Sequence, residues 1–158
     1  ALAIFGENRV IEAIRREYSY VFKKHKYPGV PMMNVQEITE QAFEFNGITI
    51  QPLRVKHMDL PIFGYRIGQF AYITDASMIP QETIDLLEGV EVLVINALCF
   101  RPHYSHFSVS QAIEIIKKVN PKKAYLTHMS HSIGFHAKTS KLLPPNVYLG
   151  YDGLKIDC

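Results

Sequence analysis

The sequence is poor in cysteine. Its two, Cys99 and Cys158, have no paired spacing, which excludes a disulfide framework and a Cys-x-x-Cys site and makes a reducing compartment the default. There is no P-loop and no Gly-x-Gly-x-x-Gly, and the glycines fall where turns are expected. No apolar run approaches the length of a membrane span. The opening stretch "ALAIFGENRV" has no basic leader followed by a long apolar segment. A cytoplasmic protein with no membrane partner is therefore expected. Charge of one sign is lacking too: 17 Lys and Arg against 15 Asp and Glu leave a net +2, spread along the chain. That balance is too weak and diffuse for a nucleic-acid surface. The Lys-rich spots at Lys23, Lys24 and Lys26, and at Lys117, Lys118, Lys122 and Lys123, read as solvated faces.

What is present is ordinary globular composition, 47% apolar and 20% charged over 158 residues. That length suits one domain, 1–158, or part of one. Residues 2–5 read as a strand. A helix follows over "NRVIEAIRREYSYVFKK", with Asn8 as its cap and Val10, Ile11, Ile14, Tyr18, Val21 and Phe22 at helical spacing. "VQEITEQAFEFNGITIQPLRVKHM" reads as strands around an Asn46-Gly47 turn, and "FGYRIGQFAYITDA" as two more around Gly68-Gln69. "PQETIDLLEG" is a short helix and "VEVLVINAL" a strand buried on both faces. "SVSQAIEIIKKVN" is an amphipathic helix with a Ser108/Gln111 capping box, ended by Pro121. "KKAYLTH" is another buried strand, and "VYLGYDGLKID" a closing hairpin on Asp152-Gly153. Antiparallel strands followed by alternating strand and helix predict an α/β layered fold.

Three candidate metal ligands share a place in that pattern. His57, Asp75 and His128 each follow an apolar strand, where side chains converge at one rim of a sheet and are held rigidly. Imidazole with carboxylate suits zinc, manganese or iron. The bland alternatives are a packed or surface histidine and an aspartate that starts a turn. His103 and His106 precede a helix start, whose positive dipole end attracts anions. A histidine there could hold a phosphate or donate a proton; alternatively, Ser108 merely caps the helix and His106 faces solvent. Cys99 beside His103 reads as a small buried residue rather than a nucleophile.

The segments "VKHMDLPIFGYRIGQFAYITDAS", "RPHYSHFSVSQAIEIIKK", "AYLTHMSHSIGFH" and "YDGLKI" resemble the metallo-β-lactamase fold hydrolases. Within them the resemblance is to the branch of phosphoribosyl cyclic phosphate phosphodiesterases and tRNA 3′-processing endonucleases. It implies an αββα sandwich and two divalent transition metals, zinc or manganese. Carried over by position, His57 ligates the first metal, Asp75 bridges the two, and His128 ligates the second. His106 contacts the substrate phosphate or acts as an acid, and His131 lines the site, either behind the ligands or at the substrate; His136 has no role. Asn96 stands where an Asp is expected, which leaves open whether that place supports the site. The family's His-x-His-x-Asp-His loop is missing, so the resemblance implies the C-terminal portion of a longer enzyme, with the sandwich incomplete at the N-terminus and the metal site partial or absent in this chain alone. The function so implied is a two-metal phosphodiesterase acting on a small-molecule phosphodiester. The alternatives are another ester, thioester or nucleic-acid hydrolase on the same fold, or a non-catalytic binding module. A truncated sandwich would expose sheet, so homo-oligomerisation is an expectation as well.

Overall fold

The computed structural model describes residues 1–25 and 27–157, so the readings that touch Lys26 and Cys158 lie outside the described residues. The chain divides into two compact units, Ala1–Phe43 and Glu44–Cys158. In the first, β1 (Leu2–Gly6) and β2 (Met33–Glu37) pair in parallel, from Leu2 opposite Met33 to Gly6 opposite Glu37. A parallel pair requires a crossover, which α1 (Asn8–Glu17) and a 3₁₀ turn at Ser19–Phe22 provide while burying Ile11 and Val21. The single helix expected to run past Phe22 therefore stops at Glu17. Tyr18 leaves helical geometry at φ −108° and ψ 36°, and the chain tightens into the 3₁₀ turn. Nor is Asn8 the cap. Glu7 holds that place without a side-chain bond, and the Asn8 amide instead donates to Glu37 at 3.1 Å.

The second unit is built on a seven-stranded sheet, ordered β3 (Phe43–Phe45), β4 (Ile48–His57), β5 (Leu60–Ile67), β6 (Phe70–Ile73), β7 (Val92–Asn96), β8 (Lys123–Thr127) and β9 (Val147–Leu149). The expected turn at Asn46-Gly47 is there, both residues with positive φ (52° and 76°), as the tight hairpin requires. Strands β4 to β6 are antiparallel and β6 to β9 parallel, so the predicted change of character along the chain is a change of pairing within one sheet. Helices α2 (Gln81–Asp85) and α3 (Val109–Val119) make the crossovers on either side of β7. All five residues of β7 are buried, the apolar run Val92–Ile95 as expected inside a parallel sheet and Asn96 at its end with them. Ser108 and Gln111 close both bonds of the predicted capping box, and Ala112 and Ile116 turn into the core with Leu53, Ile73, Leu93 and Leu126. A four-residue helix, α4 (His136–Thr139), precedes β9.

Two strand expectations need correction. Residues 35–45 are not continuous strand: Met33–Glu37 pairs with β1, and Phe43–Phe45 joins the large sheet. The closing hairpin does not form. The turn at Asp152-Gly153 exists, with Gly153 at φ 85°, but no strands flank it. Val147 and Leu149 instead bury themselves by pairing β9 in parallel with β8, and this burial outweighs a local turn signal.

Gly64 in β5 is the most closely crowded of the described glycines. A Cβ there would lie 2.8 Å from Ile73 Cγ1 and 2.9 Å from the Tyr72 carbonyl oxygen. The oxygen belongs to backbone held in the β5–β6 ladder and cannot move aside. Gly64→Ala should therefore lower stability by about 1–3 kcal/mol, read as a lower denaturant midpoint at unchanged slope. An unchanged midpoint would show that the sheet gives way. No helix among the described residues is long and apolar enough to cross a membrane.

Candidate metal centre

Because β4 is antiparallel to β5 and β5 to β6, β4 runs the same way as β6, β7 and β8, and their C-terminal ends share one rim. His57 is the last residue of β4, Asp75 lies two residues beyond β6, and His128 directly follows β8. His128 sits at φ 57°, a left-handed turn that costs a non-glycine residue some strain. His106 comes from the loop between β7 and α3. The structure brings all four together. Asp75 Oδ1 lies 2.8 Å from His106 Nε2, 3.4 Å from His57 Nε2 and 3.7 Å from His128 Nε2. His128 and His106 face each other Nε2 to Nε2 at 3.1 Å, with rings stacked at 4.8 Å, and His57 meets His106 edge-on at 4.9 Å.

Although the Asp75 side chain is partly exposed, its Oδ1 is buried and accepts no well-directed hydrogen bond. The imidazole nitrogens around it are close but not aligned as donors. A buried carboxylate oxygen without a donor is costly, and a cation would satisfy it. Ligand atoms of His57, Asp75 and His106 all lie within 4.8 Å of one another. Three imidazoles and one carboxylate are donors that suit a divalent transition metal. The residues fit the ion that the resemblance implies, and among the described residues His57, Asp75 and His106 form the one such group.

Backbone contacts lock the cluster. The Lys56 N–H donates to the Met78 carbonyl at 2.9 Å and the Ser77 N–H to the Lys56 carbonyl at 2.8 Å, which ties the His57 strand end to the segment after Asp75. Asn96, fully buried, reads the backbone of Ala76 from both sides: its Oδ1 accepts from the Ala76 N–H at 2.9 Å and its amide donates to the Ala76 carbonyl at 2.8 Å. The Phe107 N–H donates to that same carbonyl at 3.0 Å, and the Ala97 N–H donates to the Thr127 carbonyl at 2.9 Å. One side chain thus sits where the loops of Asp75, His106 and His128 join. At this place an amide supplies both a donor and an acceptor, whereas a carboxylate would only accept.

Around His106, Ser105 Oγ lies 2.6 Å from Nδ1 and 3.1 Å from His103 Nδ1, and the Ser105 N–H donates to His103 Nδ1 at 3.3 Å. Burial lowers the His106 pKa from the ordinary value of 6.5. Asp75 opposes this, while His128, His57 and His103 add to the lowering. His106 is therefore neutral at neutral pH. The start of α3 is less open to an anion than its sequence suggests. The Ser108 and Gln111 N–H groups are held in the capping box, and the Val109 N–H donates to the Cys99 carbonyl. His131 stays outside the cluster, exposed at the head of a 3₁₀ turn, His131–Ile133. His136 begins α4, with Nε2 3.4 Å from the Leu149 carbonyl oxygen. Cys99 is buried, with its thiol on the Arg101 carbonyl. Ser105 escaped the sequence reading; its only signal there is a place one residue before His106.

A mixed sheet with crossover helices, carrying histidines and an aspartate on the rim where its parallel strands end, defines a metallo-β-lactamase-type fold. The family model of the beta-lactamase superfamily domain matches residues 1–129, and the chain belongs to that family. A crystal structure of a new diphosphatase from the PhnP family superposes with a TM-score of 0.89 at 28% identity, covering 99% of this chain and 58% of that one. The metallo-beta-lactamase fold protein YhfI from Bacillus subtilis shares the fold at a TM-score of 0.73 and 20% identity, over 98% of this chain and 64% of that one. An octanoyltransferase of Porphyromonas gingivalis (strain ATCC BAA-308 / W83) is 38% identical over 156 residues, which is 98% of this chain and 32% of that protein. The chain thus spans about a third of that relative and somewhat over half of the two structures.

Proposed function

We propose that the chain is part of a metal-dependent hydrolase that cleaves phosphodiesters, with its two units belonging to one hydrolase domain. The observation that carries this is the donorless Asp75 Oδ1 ringed by His57, His106 and His128. His57, Asp75 and His128 would hold the ion, zinc or manganese, with a second ion completed by ligands of the longer protein. Such an ion supplies an acidified water and offsets charge at phosphorus. His106 serves the substrate. Were the Ser105 hydroxyl, 2.6 Å away, to donate to Nδ1, the ring would keep its hydrogen on Nε2, and a neutral imidazole in that tautomer is suited to hydrogen-bond a phosphate oxygen. Its lowered pKa favours that role over proton donation to a leaving group. His131, exposed nearby in sequence, would act only at the substrate's periphery. A small phosphodiester as substrate, a cytoplasmic location and a homo-oligomeric assembly complete the reading.

The similarity to a diphosphatase supports phosphoryl chemistry. The name of the octanoyltransferase relative favours a second reading, an acyl ester or thioester substrate on the same site. The test uses the longer protein loaded with zinc or manganese. His106→Ala should cut phosphodiester turnover about 100-fold or more while metal content per chain stays near that of the unaltered protein. Parallel loss of metal and turnover would make His106 a ligand instead. Faster hydrolysis of acyl esters than of phosphodiesters would favour the second reading.

A further inference from the structure

The loop 100–106 holds an aromatic ring with no partner in the core. Tyr104 is 75% exposed. One face of its ring leans on His103, with centroids 4.6 Å apart and planes 27° from parallel; the other is left to solvent. Single exposed aromatics are common and need no explanation, but this one is backed and placed. His103 is held by the N–H of Ser105 on its Nδ1, and its ring lies 5.2 Å from that of His106. Two ring-to-ring steps thus lead from the open face of Tyr104 to the histidine cluster, and Pro102 stiffens the loop before them. Tyrosine offers a rigid, flat surface at low entropic cost, and a nucleobase stacks on such a surface whatever its sequence.

We propose that Tyr104 is the platform on which the base of a nucleoside phosphate stacks while its phosphate is held at the His57, Asp75, His106 and His128 cluster. This rests on reading that cluster as a phosphate-handling site. Tyr104 then selects substrates by their base and leaves the chemistry to the cluster. A mononucleotide matches the short distance between platform and cluster, and the weak net charge gives no surface for a longer strand.

The test is equilibrium binding of AMP, ribose 5-phosphate and a short oligoadenylate, with zinc present, to the chain, Tyr104→Phe and Tyr104→Ala. The chain should bind AMP about tenfold more tightly than ribose 5-phosphate. Tyr104→Phe should keep that preference, and Tyr104→Ala should erase it while leaving ribose 5-phosphate affinity unchanged. Equal affinities in the unaltered chain, a preference that survives Tyr104→Ala, or no binding of either phosphate overturns the proposal. An oligoadenylate bound much more tightly than AMP overturns the mononucleotide in favour of a strand end. The hydrolase reading fails separately: a chain that prefers AMP, in a parent protein that cleaves no phosphodiester, keeps the platform and loses the reaction.

Discussion

Asp75→Ala should abolish metal retention. The carboxylate is the one anionic donor in the cluster, and imidazoles alone leave the ion's charge without a counterion. Zinc at 100 times its dissociation constant should stabilise the unaltered chain by about 2.7 kcal/mol, because binding to the folded state alone shifts unfolding by mass action. The variant should gain nothing from the same addition and should carry only background metal by elemental analysis. Without metal, the variant should be no less stable than the unaltered chain, since the substitution removes a buried oxygen that lacks a donor. A variant that still responds to zinc would show that the ion sits elsewhere. One that unfolds without metal would show that Asp75 is structural.

Asn96→Asp should be nearly as damaging by another route. The change keeps shape and volume but removes the donor to the Ala76 carbonyl and brings a carboxylate oxygen against it, in a site with no exposure. The lost bond and the facing oxygens should cost about 1–3 kcal/mol of stability. The Ala76 junction would loosen, and with it the relative placement of Asp75 and His106. Zinc affinity should then fall about 10- to 100-fold, as is common when a residue supporting metal ligands is changed. Isothermal titration with zinc at a temperature where the variant is fully folded separates the two effects. Destabilisation with unchanged affinity would reduce Asn96 to a packing residue.

Asn96 shows where sequence reasoning stops. Position 96 was legible as the buried end of a strand, and its side chain as an oddity measured against a family pattern. Which backbone groups that amide would meet depends on Ala76 and Phe107, 20 positions before it and 11 after. Similarly, His57, Asp75 and His128 stood out because each ends an apolar strand. That His106 would press its Nε2 to 2.8 Å from Asp75, inside the ligand cluster rather than across from it, had no signature in spacing. The errors elsewhere follow the same rule. The cap at Asn8 and the hairpin at Asp152-Gly153 were local signals overruled by partners distant in sequence, Glu37 for the first and β8 for the second.

The amino-acid order determined what acts over a few residues: the turn at Asn46-Gly47, the capping box of Ser108 and Gln111, the apolar run Val92–Ile95 of β7, and the change from antiparallel to parallel pairing along the chain. These arise from backbone preferences and side-chain periodicity, which neighbours alone satisfy. The tertiary structure decided the rest: which strand lies beside which, how four side chains from four segments meet at one rim, and why a carboxylate oxygen there is left without a donor. Those outcomes depend on burial shared between residues far apart in the chain, and on each polar group finding, or failing to find, a partner once water is excluded.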